Sequence, residues 1–336
     1  MIGVIGDLHL KAELSYSDYV ADRREPERQA SIDTIVNSFK DCESVVFLGD
    51  SLNARNNTSQ VISQFVELIK RLQSGNKKIY ILVGNHEKFA DGNSAIDFIE
   101  KFNDRGIRTI LRTPFVEDKL VFMPYTYPSE LGTNDAKKAS KTFLNKLPPG
   151  DILFLHQAIA GTEIESGQLV DLFNEIVLNR EELEKKYKLI FAGHIHKPQR
   201  LGNTVMAGSV FTQEVGEEEK YIWKVDEKTL EVEQIKLPVR PIYKIENSTV
   251  SKLNKLDKYA IVKAVFTEKQ AGLDKVIEKL REFDAHIIVE QYPDERKKIH
   301  FEEGFLDMGV EKLLGVYAKE RNVDSAALIS AYSLIR

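Results

Sequence analysis

The sequence of 336 residues has little of several features that mark particular classes of protein. Its single cysteine, Cys42, excludes an internal disulfide framework and fits a reducing compartment. No apolar run approaches the roughly 18 residues of a membrane span, and no charged-then-apolar leader precedes the first apolar segment. The net charge of -5 excludes a coat of basic charge, so binding to nucleic acid would need a local basic patch. These absences predict a cytoplasmic protein that does not enter a membrane.

Histidine is also scarce, but most of the seven histidines share one position in the sequence pattern. Each of five follows a short apolar run, at the point where a buried strand would end. These five are His9, His86, His156, His194 and His196. Because the carboxyl ends of parallel strands meet at one edge of a sheet, we expect them to converge on one site.

Oxygen donors lie at the same strand ends as the histidines. Asp7, Asp50 and Asn85 complete a mixed nitrogen and oxygen set without thiolate, which suits manganese, iron, zinc or magnesium. Seven of these eight side chains acting as ligands are too many for one tetrahedral ion, whereas two ions sharing Asp50 would use all seven. A two-ion centre lowers the pKa of bound water to roughly 7 and so provides a hydroxide for attack on phosphorus.

The order of elements predicts an α/β architecture. Strand-like runs at 2–6, 45–48 and 79–83 alternate with helical patterns at 25–39 and 58–72. This succession of strand, turn and helix favours layered sheets and helices over a barrel of hairpins.

Two prolines, Pro238 and Pro241, predict a domain boundary because they cannot continue the interior of a sheet. The sequence therefore divides into a main domain at 1–238, a small α/β domain at 239–303 and a helical segment at 304–336. Residues 239–300 contain thirteen Lys or Arg against ten Asp or Glu, in a chain that is otherwise acidic. The terminal helices suit either local core packing or partner binding.

The chemistry-bearing blocks resemble the signature of the calcineurin-like metallophosphoesterases over residues 1 to about 200. The blocks are Asp7-Leu8-His9, Gly49-Asp50 with Arg55, Gly84-Asn85-His86-Glu87, His156, and Gly193-His194-Ile195-His196. The resemblance implies an α/β/β/α sandwich with two divalent ions, manganese being expected first and magnesium as the alternative. One ion would be held by Asp7, His9, Asp50 and His196, and the other by Asp50, Asn85, His156 and His194. His86 would be a non-ligand acid.

Within that superfamily, Gly208-Ser209 followed by residues 217–221 is similar to SbcD-type nuclease subunits of DNA double-strand-break repair, in the bacterial and phage branch. This likeness implies a DNA exonuclease and endonuclease acting on double-stranded ends, with single strands as a further substrate, in repair and recombination. It implies that 239–303 caps the DNA and that 304–336 binds a coiled-coil ATPase of the chromosome-maintenance (SMC) type. It also implies a homodimer, formed through the helices at 25–39 and 58–72, in a bacterial cell or a phage-infected host.

Asn53 departs from the family pattern. Many archaeal and eukaryotic members have a second histidine at this position, three residues after the shared aspartate, and bacterial and phage members typically have an acid. Asparagine cannot be a general acid, but it can hydrogen-bond a phosphate or a metal-bound water. Arg55 suits either a weak surface ion pair or phosphate binding, and its place in the Asp50 loop favours the second. The expected catalytic residues are thus His86, Asn53 and Arg55.

Two other functions fit the same residues. A phosphatase or phosphodiesterase acting on a small molecule or phosphoprotein would use the same core, although the extensions beyond residue 238 speak against it. A non-catalytic scaffold ranks last, because every expected ligand and His86 are present.

Alternation along a strand is expected to place His194 and His196 on one face, each towards its own ion.

Overall fold

The computed structural model describes most of the first 290 residues and short pieces beyond them. The described residues are 1–11, 21–73, 77–102, 106–164, 167–170, 175–212, 219–257, 260–268, 272–283, 285–290, 314–315, 317–319 and 324–326. One compact unit comprises residues 1–266 with 270–289, and the other comprises 267–269 with 290–336. In the second unit the described helical residues are 314–315, 317–319 and 325–326, so most of the predicted terminal helices and His300 lie outside the described residues.

Strands are the most numerous elements in the described ranges. They are β1 (Ile2–Ile5), β2 (Ser44–Phe47), β3 (Lys78–Leu82), β4 (Ile107–Ile110), β5 (Phe115–Glu117), β6 (Leu120–Met123), β7 (Ile152–His156), β8 (Ala158–Ile159), β9 (Val177–Leu178), β10 (Leu189–Gly193), β11 (Gln199–Leu201), β12 (Thr204–Met206), β13 (Tyr221–Val225), β14 (Val232–Lys236), β15 (Ile242–Glu246), β16 (Ile261–Phe266) and β17 (Ala285–Glu290). The α-helices are α1 (Ala21–Ser38), α2 (Ser59–Gln73), α3 (Ala136–Lys146), α4 (Arg180–Lys186), α5 (Val250–Leu253) and α6 (Leu273–Leu280). Two 3₁₀ turns span Asp97–Phe102 and Pro128–Leu131.

Two six-stranded sheets form the main body. The first has the order β14-β13-β1-β2-β3-β4, with β1 to β4 parallel and β13 antiparallel to β1. The second has the order β11-β12-β10-β7-β6-β5, with β12, β10, β7 and β6 parallel. Each parallel core thus directs several strand ends to one edge.

The strands read as continuous apolar runs because both faces of each sheet are buried. Ile2, Val4, Val46 and Leu48 belong to a cluster that also contains Phe122, Phe154 and Phe191 of the second sheet, so this cluster lies between the sheets. The alternate residues Val45 and Phe47 pack instead with α1 and α2, and the outer face of the second sheet packs with α3 and α4.

This packing gives the layers α/β/β/α, and the predicted layered fold is confirmed. The apolar sides of α1 and α2 pack against the first sheet of the same chain, and Ile35 and Phe65 are fully buried there. Dimerisation through these helices stays a prediction.

A third sheet follows the two prolines, with the order β15-β16-β17. β15 and β16 pair in parallel, and α6 connects β16 to β17. The sheet and its helices have a hydrophobic cluster of their own, which includes Leu253, Val262, Phe266 and Leu280. The three domain boundaries themselves stay predictions.

Candidate metal centre

The predicted donors lie at the carboxyl ends of five parallel strands, three in the first sheet and two in the second. Asp7 follows β1, Asp50 follows β2 and Asn85 follows β3, whereas His156 ends β7 and His194 follows β10. Because β1, β2 and β3 are neighbours, as are β7 and β10, the five ends meet at one edge of the sandwich.

One group of donors surrounds His9. Its Nε2 atom lies 2.9 Å from Nε2 of His196 and 3.8 Å from Oδ2 of Asp50. Nε2 of His196 lies 3.9 Å from Oδ2 of Asp7. The structure thus brings together the four side chains that the family resemblance assigns to one ion.

A second group surrounds the amide oxygen of Asn85. This Oδ1 atom lies 3.1 Å from Nε2 of His156 and 2.9 Å from Nδ1 of His194. Nε2 of His156 is 3.3 Å from Oδ2 of Asp50. The same Asp50 oxygen therefore faces both groups, which is the geometry that a shared ligand requires.

Histidine contacts replace the usual cationic partners of the two buried carboxylates. Asp7 and Asp50 are 0% and 1% exposed, and in the described part of the chain their ion-pair partners within 4 Å are imidazoles rather than lysine or arginine. Buried charge without a compensating cation is strongly unfavourable. The donor set therefore fits a site for divalent cations.

The pKa values respond to this charge imbalance. Burial raises the pKa of Asp7 and lowers that of His9 to about 3. Burial alone would lower the pKa of His156, but the Asp50 carboxylate raises it to about 9. Burial likewise opposes the charged form of Asp50, but the charge of His156 holds the pKa of this carboxyl well below its usual range. The raised pKa of His156 thus reflects the negative charge of the carboxylates that surround it.

Three of the predicted ligands have left-handed backbone conformations. The φ angles of His9, Asp50 and His194 are 46°, 46° and 87°. Such conformations in residues other than glycine store roughly 1–3 kcal/mol each and cluster at functional sites. The conformation at His194 also shows why His194 and His196 reach both groups: β10 ends at Gly193, so a turn beyond the strand, rather than alternation along it, directs the two rings.

Two glycines allow the loops to approach the carboxylates. A Cβ atom on Gly84 would lie 2.0 Å from Oδ1 of Asp50, and one on Gly193 would lie 2.6 Å from Oδ1 of Asp7. Neither position has room for a side chain, because real Cβ contacts below 3.0 Å essentially do not occur. These glycines are therefore required by the packing of the site.

Gly84→Ala is expected to displace the Asp50 carboxylate, since the new methyl group and this oxygen cannot occupy the same space. We expect a loss of about 1–3 kcal/mol in the free energy of unfolding, together with weaker metal retention after dialysis. Chemical denaturation and elemental analysis measure the two effects. Gly315→Ala is the matched control, because a Cβ there meets nothing within 4 Å. Full metal retention by Gly84→Ala would show that the loop can move without affecting the site.

Backbone contacts fix the orientation of His156. Its Nδ1 atom lies 2.7 Å from the carbonyl oxygen of Leu48, which can only accept a hydrogen bond. Nδ1 therefore carries the proton, and Nε2 is directed towards Asn85 and Asp50 as a ligand atom.

Glu87, the last residue of the Gly84-Asn85-His86-Glu87 block, joins the loops of the first sheet, although the sequence indicates no role for it. Its carboxyl group is fully buried and accepts hydrogen bonds from the backbone N–H groups of Leu52 (2.8 Å) and Gly84 (3.1 Å). Burial, together with the charge of Asp50, raises the pKa of Glu87 to about 8. The residue thus links the loop after β2 to the loop after β3.

The predicted catalytic residues occupy the exposed side of the centre. The His86 ring lies edge-on to the ring of His9 at 4.8 Å, and its Nδ1 donates to the carbonyl oxygen of Asn53 at 3.0 Å. Asn53 thus meets His86 through its backbone. Arg55 donates from Nε to the carbonyl oxygen of Lys88 at 2.8 Å and from Nη2 to the hydroxyl of Tyr127 at 3.2 Å.

These contacts give Arg55 a part in holding the loop after His86. Phosphate binding by Arg55 and a catalytic part for the Asn53 amide stay predictions. His9, Asp50 and His86 also form a group that could hold an ion, and the role of His86 as a non-ligand acid stays a prediction.

The calcineurin-like phosphoesterase family matches residues 1–198, which contain every predicted metal ligand. The chain belongs to this family. As a calcineurin-like phosphoesterase it is a metal-dependent hydrolase, and the family uses two divalent ions. The groups Asp7-His9-His196 and Asp7-Asp50-His156 are close enough to hold metal.

Two solved structures match this phosphoesterase at low sequence identity. One, described as a novel archaeal phosphodiesterase, is 14% identical, with 70% of this chain and 99% of that chain covered and a TM-score of 0.33. A second is 11% identical, with coverage of 70% and 98% and a TM-score of 0.41. No curated protein matches this chain. None of the described helices is long and apolar enough to cross a membrane.

Proposed function

We propose that this phosphoesterase is a DNA nuclease that hydrolyses phosphodiester bonds at DNA ends, with exonuclease and endonuclease capability. The observation that carries the proposal is the pair of donor groups that share Asp50, with His86 on their exposed side. A centre of this kind can bind a phosphodiester and position a proton donor beside its leaving oxygen.

Two ions, when bound, supply a hydroxide nucleophile and polarise the phosphoryl oxygens. The chain contributes the geometry of the site. Asp50 places the two donor groups side by side, and Leu48 fixes the ligand nitrogen of His156. The Nδ1–H group of His86 donates to the carbonyl oxygen of Asn53, so in the doubly protonated ring the Nε2–H group would transfer its proton to the leaving oxygen.

DNA as the substrate is supported by residues beyond the family match. The segment 239–300 has a surplus of three basic residues in a chain of net charge -5, and it contains the separate sheet β15-β16-β17. DNA binding draws on basic side chains that neutralise phosphates. A monoester site has no need of such a module.

The SbcD-type resemblance adds partners to the proposal. A coiled-coil ATPase of the chromosome-maintenance type would bind 304–336, where apolar residues recur at helical spacing in the sequence. A homodimer, manganese as the native ion and a role in end processing, recombination and repair belong to the same proposal.

Substrate choice is tested with purified protein, linear duplex DNA, single-stranded DNA and p-nitrophenyl phosphate, each with manganese or magnesium. We expect cleavage of DNA with manganese, weaker or no cleavage with magnesium, and slow release of p-nitrophenol. Electrophoresis and absorbance measure the products, and metal-stripped protein is the control. Rapid turnover of the monoester beside intact DNA would instead identify a phosphatase with the same catalytic core.

A further inference from the structure

Glu175 contacts a predicted metal ligand although it belongs to none of the sequence blocks. Its Oε2 atom lies 2.9 Å from Nε2 of His194, and the hydroxyl of Tyr125 lies 3.5 Å from the same oxygen. The other ring nitrogen of His194, Nδ1, faces the amide oxygen of Asn85 at 2.9 Å. The ring is thus held between a carboxylate on one side and the candidate metal position on the other.

The surroundings of Glu175 offer other cationic partners. A cavity of about 400 Å³ is lined by Glu175 together with Lys137 and Lys141 of α3 and Glu182 of α4. Even so, in the part of the chain that the structure describes, the ion-pair partner of Glu175 is His194 rather than either lysine. The carboxylate is therefore directed towards the metal centre and away from the positive charge of the cavity.

We infer that Glu175 is a positioning residue for the ion held by Asn85, His156 and His194. A carboxylate accepts a hydrogen bond, so the proton of the neutral His194 ring is held on Nε2. The lone pair is then on Nδ1, which faces the ion position. Carboxylates in this relation to a ligand histidine fix the ring orientation and raise the basicity of the ligand nitrogen.

The contact between Glu175 and His194 also restrains a residue whose backbone has an unusual conformation. This residue has a φ of 87° directly after β10, and its backbone N–H donates to the Asp7 carboxylate at 2.9 Å. The backbone is therefore fixed from the side of Asp7, and Glu175 fixes the far end of the ring. With both ends held, the ring has one orientation available.

Calorimetric titration of the metal-stripped protein with Mn²⁺ tests the inference. For Glu175→Ala we expect one of the two ions to bind about 10–100-fold more weakly and the other to bind with unchanged affinity. Glu175→Gln keeps an acceptor oxygen without the charge and is expected to give an intermediate affinity. Electron paramagnetic resonance at two equivalents of Mn²⁺ should show isolated ions in Glu175→Ala where the unaltered protein shows a coupled pair.

Two further measurements separate positioning from a general structural effect. Glu182→Ala removes a carboxylate from the same cavity that has no contact with a predicted ligand, and it should leave both affinities unchanged. Hydrolysis by Glu175→Ala should recover as Mn²⁺ is raised to saturation, because the defect lies in binding the ion. Equal loss of both ions, or unchanged binding of both, would overturn the inference.

The inference rests on the two-metal site of the family and not on DNA as the substrate. Metal titration needs no substrate, so a chain that cuts no DNA can still have the Glu175 effect, and a nuclease can lack it. A negative result for DNA cleavage therefore does not contradict the role of Glu175, and a negative metal titration does not contradict the nuclease proposal.

Discussion

Asp50→Asn is expected to lower hydrolysis about a thousandfold or more, with loss of at least one ion per chain. Oδ2 of Asp50 lies 3.8 Å from Nε2 of His9 and 3.3 Å from Nε2 of His156, so one oxygen faces both donor groups. An amide at this position removes the negative charge that both ions share. The rate loss corresponds to about 4 kcal/mol of transition-state stabilisation. Steady-state kinetics and elemental analysis after dialysis measure the two effects.

Asp41→Asn is the matched control, since Asp41 precedes the amino end of β2 and Asp50 follows its carboxyl end. Asp41 pairs with Lys224 at 2.7 Å, and its side chain is 64% exposed. Removing an exposed ion pair changes stability by about 0–1 kcal/mol and should change neither rate nor metal content. Two retained ions and an unaltered rate in Asp50→Asn would show that Asp50 is not shared.

His86→Ala is expected to reduce turnover of a DNA phosphodiester by about 10²–10⁴-fold while both ions remain bound. The ring is exposed, and its Nδ1 is occupied by the carbonyl oxygen of Asn53, which suits a proton donor better than a buried ligand. Metal content by elemental analysis, measured beside kcat, separates the two roles. Loss of an ion on substitution would make His86 a ligand, as its proximity to His9 and Asp50 allows.

The leaving group gives a second measure of the His86 role. A p-nitrophenyl ester of thymidine phosphate releases a phenolate that needs no proton, so His86→Ala should slow its hydrolysis about tenfold or less. Asn53→Ala keeps the backbone carbonyl that contacts His86, so any loss of rate from removing its amide should be equal on both substrates. An equal loss on both esters in His86→Ala would contradict proton transfer to the leaving oxygen.

The sequence predicts the strand ends and helices of this fold well because these features are local. The predicted helix at 58–72 is α2, Ser59–Gln73, and the apolar runs before Asp7 and Asp50 are β1 and β2. Five blocks in order were sufficient to indicate the donors that the structure brings together. Periodicity and strand-end chemistry act over a few residues, so they can be read without knowledge of the fold.

Other features depend on pairing between distant segments. β13 pairs with β1, with Trp223 opposite Val4, and no local pattern specifies that register. Glu175 is likewise an unremarkable acid in the sequence, and it becomes part of the site only because the end of β10 brings His194 to it. The left-handed conformation at His194 also cannot be predicted from the sequence, since histidine adopts positive φ more often than most residues but still does so uncommonly.

The division of the donors between two sheets has a consequence for folding. Asp7, Asp50 and Asn85 follow strands of the first sheet, whereas His156 and His194 come from the second. Neither sheet alone presents a complete coordination sphere, so tight binding requires the two sheets to be docked. Ions bound by ligands from both sheets would then favour the state in which the two sheets are packed together. At a free metal concentration of 100 Kd, each site would add about 2.7 kcal/mol to the free energy of unfolding. Catalytic activity and the free energy of unfolding of the sandwich are thus both expected to rise with the supply of divalent metal.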